Sequence, residues 1–416
     1  MKTLKLEPLS RVEGHGRVEL ILRDNRLADA RVAITESPRL FEGLVAGRSF
    51  REVPALVCRI CAICSSVHRV AAAGALEKAL GVEVPRAARM VRELLMLGGH
   101  IESHALHLFC LVLPDICGTE NIIELLRSGN ETARQGLALK GLGNRIQEIA
   151  GGRVIHPINV EVGGVLRLPE RKKLEELLEE IDLWTKRLKE ISGIFARDES
   201  YPPSVRAVGT RISVGGGDGF SLTGDALKLS DGRTVPAGHY RELLAERPVS
   251  YSNAKHSGEE GRTFLAGALA RLENGPGEPT PGMAEGGIFR NNAAQAAELL
   301  WALGRCLKLG RELLNFGEEE AVMMSLQPKA GIGTEVIEAP RGLLIHHYVL
   351  DDLGRVVSAD IVTPTAINQA TMEEQLLEDL AEIEDETELS ERAQCLVRAF
   401  DPCISCSVHV VKAGKK

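Results

Sequence analysis

The chain has 416 residues, 44% of them hydrophobic and only 4% aromatic, with a formal net charge of −8. That length passes the size one simple core fills easily, so it predicts one large elaborated domain or two tightly joined lobes. An acidic chain with no basic stripe and few rings to stack on bases excludes nucleic acid as the main ligand, and no apolar run approaches the roughly 18 residues that would span a bilayer.

The opening "MKTLKLEPLSR" has no apolar h-region, which predicts a cytoplasmic chain. Residues 1–35 alternate in polarity and predict a hairpin of two strands turning at Asp24-Asn25. A loop through "ESPRLFEG" leads into "RICAICSSVH" (59–68). From Pro85 to Leu113 the apolar spacing is helical, with "ALHLFCLVLPDI" (105–116) reading as a buried helix, and 119–151 continues in the same way. Residues 168–198 form the clearest helix, with Pro169 near its start, acidic first turns and leucines at i, i+3, i+4 and i+7. Residues 202–282, rich in Gly, Thr and Val, predict short strands and turns closed by the Pro/Gly loop "LENGPGEPTPG" (272–282). Helical spacing returns across 283–316 and ends near Gly317. Residues 341–365 read as two strands around an Asp-Leu-Gly turn, and an acidic helical stretch, 371–400, delivers the chain to "DPCISCSVH" (401–409).

The predicted fold is mainly α with smaller β regions (α+β), a long-helix core with strand-rich excursions. Residues 1–409 are expected as a single domain, with a tail, 410–416, after it. The two thiol motifs stand at opposite ends of the sequence, so a shared metal site would draw both chain ends together.

Cys58, Cys61, Cys64, Cys110, Cys117, Cys306, Cys395, Cys403 and Cys406 make an odd set in a long chain, which is no disulfide framework of a small secreted domain. Cys110, Cys117, Cys306 and Cys395 lie in apolar helical contexts and read as buried inert thiols. The two CxxC pairs, Cys61/Cys64 and Cys403/Cys406, present four sulfurs able to bind metal as thiolates. Structural zinc is the plain alternative. Against it, zinc pairs usually stand roughly 15–20 residues apart. Each pair here is also trailed by a histidine, His68 or His409, and polar blocks such as "RVEGH" and "EAPRG" recur that a stapling ion does not need. A thioredoxin-like redox pair needs only one CxxC, and ferredoxin spacings are absent. All-thiolate ligation suits soft metals, nickel and reduced iron among them.

"RVEGHGRVEL" (11–20), "SPRLFEG" (37–43), "RICAICSSVH", "ESHALHLFCLVLPD" (102–115), "EAPRG" (338–342), "TPTAINQ" (363–369) and "DPCISCSVH" occur in this order. Together they resemble the large, catalytic subunit of the nickel–iron hydrogenases, especially the soluble, cytoplasmic, bidirectional group. Ala62 departs from the glycine that many members carry between the thiols. The resemblance implies reversible heterolytic cleavage of dihydrogen to two protons and two electrons. It makes Cys61 and Cys403 terminal nickel thiolates, and Cys64 and Cys406 bridges to an iron carrying carbon monoxide and cyanide. It also makes His68 a donor near a bridging sulfur. Arg341, introduced by Pro340, would lie over the open side of the metals and donate to a cyanide, held by an ion pair with Asp115. Thr365 would bond the other cyanide. Cys403 and then Glu13 would take the proton. Glu42, His409 and the main-chain carbonyl at about Ile361 would hold a magnesium or iron ion near the carboxyl terminus.

The resemblance further implies a separate iron–sulfur small subunit, further electron-transfer subunits in a heteromeric complex, and maturation proteins with an endopeptidase that cuts after His409. No direct membrane span is expected. Two other readings stay open: a descendant such as the quinone-site subunit of respiratory complex I, which keeps the fold and loses the thiols, and a zinc-stapled interaction subunit.

Overall fold

In the computed structural model, residues 1–36, 40–215, 220–259, 261–275, 287–317 and 319–407 are described, apart from the Asp198 side chain. The alternating amino-terminal stretch folds as an antiparallel sheet of three strands, β1 (Lys2–Leu6), β2 (Gly16–Arg23) and β3 (Arg26–Ile34). Asp24 and Asn25 turn β2 into β3 with φ of 52° and 63°, the doubly left-handed geometry that matches strand twist in a two-residue hairpin. The expected hairpin therefore gains a third strand, with Lys2 opposite Leu22 and Leu6 opposite Val18. In β1 only Leu4 and Leu6 turn partly inward, too short an alternation to read as a strand.

Four helices build the first half of the core: α1 (Ser65–Leu80), α2 (Arg86–Ala105), α3 (Glu131–Gly151) and α4 (Arg171–Ile191). α2 runs on through widened turns over Leu106–Val112 and a last turn, Leu113–Ile116. Pro114 has no amide and its ring crowds the carbonyl four residues back; a widened turn ahead of it relieves that clash. The helix over residues 86–116 is long and apolar enough to cross a bilayer by length and composition, yet 89% of its most apolar window is buried in the protein, as in a core helix. The helical region 119–151 is broken, because Asn121 caps a short helix, Ile122–Arg127, and Asn130 caps α3.

The strand-rich region holds short strands from Thr210 to Leu265 and also a helix, α5 (Ala268–Asn274). After α6 (Arg290–Leu313) come three long antiparallel strands: β4 (Gly331–Ala339), β5 (Gly342–Leu350) and β6 (Val356–Val362). β4 precedes the strands expected from the sequence, since its glycines blur the alternation. Those glycines serve the packing: a Cβ on Gly333 would fall 1.9 Å from the carbonyl oxygen of Ala75 in α1. The alanine-rich α1 thus lies almost directly on β4.

The stretch 371–400 resolves into two helices, α7 (Pro364–Leu380) and α8 (Glu386–Ala399), the second capped by Asp385. α7 covers the edge of β3, where Gln369 Nε2 donates to Val32 O at 2.6 Å and Glu373 Oε1 accepts from Val32 N at 2.9 Å. Both outward backbone groups of Val32 on this edge strand are thereby satisfied by α7 side chains. Beyond α8 the chain returns to the amino-terminal sheet: Cys403 pairs in parallel with Glu13, and Ile404 N donates to Glu13 O at 3.1 Å.

Candidate metal centre

The first thiol pair hangs between two helices. A short helix, Val53–Val57, begins with a proline in its first turn and ends at Cys58. Cys61 lies in the loop that follows, and Cys64 is the residue that opens α1. The Cys64 amide points back at Cys61 Sγ, 3.5 Å away. The second pair follows Asp401, whose φ of 51° lies in the left-handed region that Asp and Asn tolerate best among side chains. Thr365 Oγ1 accepts the Cys403 amide at 2.9 Å.

These two segments bring four sulfurs together from positions 342 residues apart. Cys403 Sγ lies 3.4 Å from Cys61 Sγ, 3.7 Å from Cys64 Sγ and 2.9 Å from Cys406 Sγ. The four are 1–4% exposed. Burial pushes the Cys403 and Cys406 thiols well above the ordinary range, whereas hydrogen bonding from Cys403, then Cys406 and Cys64, pulls Cys61 well below it. By themselves four such close sulfurs cannot all carry charge. A soft cation among them is what would let all four ionise.

Arg341 supplies the nearby positive charge. It is 2% exposed, its Nη1 lies 3.6 Å from Cys64 Sγ, and its Nε donates to Asp401 Oδ1 at 3.0 Å. Burial works against this charge, but Asp401 and the sulfurs of Cys403, Cys64 and Cys61 outweigh it and keep the guanidinium cationic. Its Nη2 has no partner among the described residues. On the other side, Glu13 Oε2 lies 3.3 Å from Cys403 Sγ and accepts the Ser405 amide at 3.1 Å.

The family described as nickel-dependent hydrogenase matches residues 39–134 and 295–409, and one described as HoxL-like matches residues 3–37. Sulfhydrogenase 2 subunit alpha of Pyrococcus furiosus is 42% identical, over 98% of this chain and 99% of its own. The chain belongs to the nickel-dependent hydrogenase family. Sulfhydrogenase 1 subunit alpha of the same organism is 36% identical, over 98% of each chain. A solved NAD+-reducing NiFe-hydrogenase in the H2-reduced state superposes with a TM-score of 0.85 at 29% identity, over 98% of this chain and 100% of that one. The protein is a nickel–iron hydrogenase large subunit, the catalytic chain that oxidises or evolves hydrogen. The donor set fits the family's metals: four buried sulfurs for soft ions, and an unpartnered guanidinium nitrogen beside them for a further acceptor.

The other expected residues of the hydrogenase site fall as follows. His68 Nδ1 lies 3.1 Å from His346 Nε2, and His346 Nδ1 lies 2.8 Å from the Tyr348 hydroxyl. Burial lowers His68 to about 4, so the ring is neutral. Pro340 and Arg341 form the turn between β4 and β5. The expected Arg341–Asp115 ion pair is not formed. Asp115 is held by Arg11 and, at 2.8 and 2.9 Å, by Arg398, and Asp401 takes its place beside Arg341. Asp115 sits past the widened turns of α2 with 21% of its side chain exposed, whereas Asp401 is buried two residues from a site sulfur.

Glu42 accepts the Ile361 amide at 3.0 Å, and its carboxylate clusters with those of Glu246 and Asp360. His409 and the tail 410–416 lie outside the described residues. Cys110 and Cys306 are buried as expected, but Cys117 is exposed at the end of the α2 rod.

Sequence reasoning missed Asp401, His346 and Tyr348. Asp401 stands in the quoted "DPC", where an acidic residue beside a thiol pair was the available signal. His346 and Tyr348 alternate along a buried strand, and nothing in sequence spacing ties them to His68.

Proposed function

We propose that Cys61 and Cys403 bind nickel as terminal thiolates, that Cys64 and Cys406 bridge it to iron, and that Cys403 and Glu13 handle the proton released from dihydrogen. When bound, the metal pair, with carbon monoxide and cyanide on its iron, supplies the Lewis acid and electron acceptor that so weak an acid as dihydrogen requires. The chain supplies the base. One contact carries this reading: Cys403 Sγ at 3.3 Å from Glu13 Oε2. A proton taken at Cys403 has a carboxylate within transfer reach, and the Ser405 amide keeps that carboxylate aimed. Arg341 adds a fixed cation that can polarise a bound substrate and donate to a cyanide, and Thr365 is the donor proposed for the other cyanide. Burial of all four sulfurs keeps bulk water from the reacting atoms. Glu13→Gln tests the proton route: metal content should stay at the parent level while hydrogen-dependent dye reduction collapses. Parent-level turnover in this variant would remove Glu13 from the mechanism.

Glu42, His409 and the main-chain carbonyl at Ile361 are proposed to hold a magnesium or iron ion, oxygen and imidazole donors suiting such hard or borderline metals. Because the four site sulfurs are committed, electrons leave through an iron–sulfur small subunit and further electron-transfer subunits; relatives named as alpha subunits support this. We place the complex in the cytoplasm, residues 1–409 in one domain, and removal of 410–416 by a maturation endopeptidase after metal insertion. Purification of the native complex, with its partner chains identified and the carboxyl terminus sequenced, tests all of these.

A further inference from the structure

We propose that Arg271 is a positioning residue for the reaction, clamping the buried turn that carries Arg341 over the sulfurs. The inference rests on the reading of Arg341 given above.

Ala339 pairs with Gly342, so Pro340 and Arg341 are a two-residue turn between β4 and β5. Such tips ordinarily face solvent, but this one lies in the protein interior. Proline fixes its own φ near −65°, which rules out the mirror-image turns that fit two-residue hairpins best. The turn therefore lacks the backbone geometry that would hold it unaided. It is also buried, so its carbonyls need partners other than water.

Arg271, on α5, provides them. Its Nη2 donates to Pro340 O at 2.9 Å and its Nη1 to Ala339 O at 3.1 Å. The same side chain donates from Nε and Nη2 to the two oxygens of Glu298 at 2.6 and 2.7 Å, and from Nη1 to Glu338 Oε2 at 2.9 Å. All five N–H groups of the guanidinium are used, and the residue is 3% exposed. Its two carboxylates are anchored in turn. Glu298, on α6, accepts His104 Nε2 of α2 at 2.8 Å, and Glu338 accepts Val214 N at 2.7 Å.

The tip is thus tied to three helices and a second sheet through one planar fork. From the other side, Gly342, with φ of 130°, lets α5's start come close: a Cβ there would lie 2.8 Å from Gly267 N. A buried ionic group of this kind is weak as a stability device, because well-packed apolar residues often do as well. Apolar residues cannot pin two carbonyls at fixed positions, however. The observation that gives the clamp a purpose is what the tip carries, a guanidinium nitrogen 3.6 Å from Cys64 Sγ.

The test uses Arg271→Lys in the metal-loaded complex, since a point charge on a flexible stem cannot replace the fork. Nickel and iron content should match the parent, and the infrared bands of the iron-bound cyanide should shift or broaden. kcat for hydrogen-dependent dye reduction should fall by about tenfold to a hundredfold, the scale expected of a misplacement near 1 Å. In an Arg341→Lys background, Arg271→Lys should cause little further loss, because it acts through Arg341. Parent-like bands and turnover would overturn the clamp, as would equal fractional losses in both backgrounds. If Arg271→Lys fails to assemble, Glu338→Gln, which keeps an acceptor for Val214, should show the band shift in smaller form; unshifted bands there would also overturn it. Parent-level turnover in Arg341→Lys alone would instead sink the reading of Arg341, and the cyanide bands of Arg271→Lys would still report whether the clamp sets its position.

Discussion

Glu13 and Cys403 meet twice, once through the backbone as a parallel bridge and once through their side chains, Oε2 to Sγ at 3.3 Å. The backbone contact fixes the side-chain contact. A carboxylate on an isolated loop would lose much of its advantage to motion, whereas Glu13 is carried on a segment registered against the thiol's own segment. The proposed base and its proposed proton donor are therefore one structural unit drawn from distant parts of the chain.

The four sulfurs should not be interchangeable with the other cysteines. Cys64→Ser or Cys403→Ser should lose metal and abolish hydrogen uptake, because a serine hydroxyl is neither soft nor readily ionised. Cys306→Ser places a hydroxyl in the apolar core and should destabilise the fold by about 1–3 kcal/mol, with full metal content. Elemental analysis of purified variants separates the two outcomes, and normal uptake by Cys64→Ser would overturn the site.

Asp401→Asn removes the counter-charge of Arg341 while keeping its shape. Asp401 Oδ1 accepts Arg341 Nε and its Oδ2 accepts Gln295 Nε2 at 2.9 Å, so the variant leaves the buried guanidinium with only the sulfurs as counter-charge. Turnover and thermal midpoint should both fall. Arg341→Lys should keep its metals yet lose most turnover, for want of the planar fork; loss of nickel in that variant would make the arginine structural.

A control away from the metals is offered by Arg92 and Glu77, which pair at 2.6 and 2.8 Å deep in the core, with Arg92 also donating to Glu161 O and Gly164 O. Arg92→Ala strands a buried carboxylate and should cost about 3–5 kcal/mol of stability. Chemical denaturation measures this, and a loss below about 1 kcal/mol would show that the pair is dispensable.

Glu373 gives a pH dependence whose sign is fixed. Burial raises this carboxyl from 4.5 to about 7, against hydrogen bonds from Val32 N and Tyr251. The folded state thus holds a proton that the unfolded chain releases, and stability present below pH 4.5 is lost as pH rises toward 7. Glu373→Gln should leave the thermal midpoint unchanged near pH 4 and raise it at pH 8, by up to roughly 3 kcal/mol of stability. An equal effect at both pH values would contradict the assignment.

Local signals were legible in the sequence wherever they were locally sufficient. The leucine spacing of α4, the Asp24-Asn25 turn and the two CxxC pairs each state their structure within a few residues. What stayed hidden was set by distant partners. β4 was hidden because the glycines that let α1 approach closely interrupt its alternation, and the α2 rod widens ahead of Pro114. Asp115 looked like the partner of Arg341 until the fold turned it toward Arg11 and Arg398. Arg271 stands in an unremarkable "ALARLEN", and only the tertiary structure brings it under the Pro340-Arg341 tip.

The first two sulfurs and the last two are separated by 342 residues from Cys61 to Cys403, so the centre cannot close until most of the helical body between them has been made and folded. Until Cys403 reaches the segment of Glu13, two ligands wait in a half-formed cradle. Metal capture is thereby tied to long-range folding: a copy that stops short of Cys403 holds only half of the clustered sulfurs.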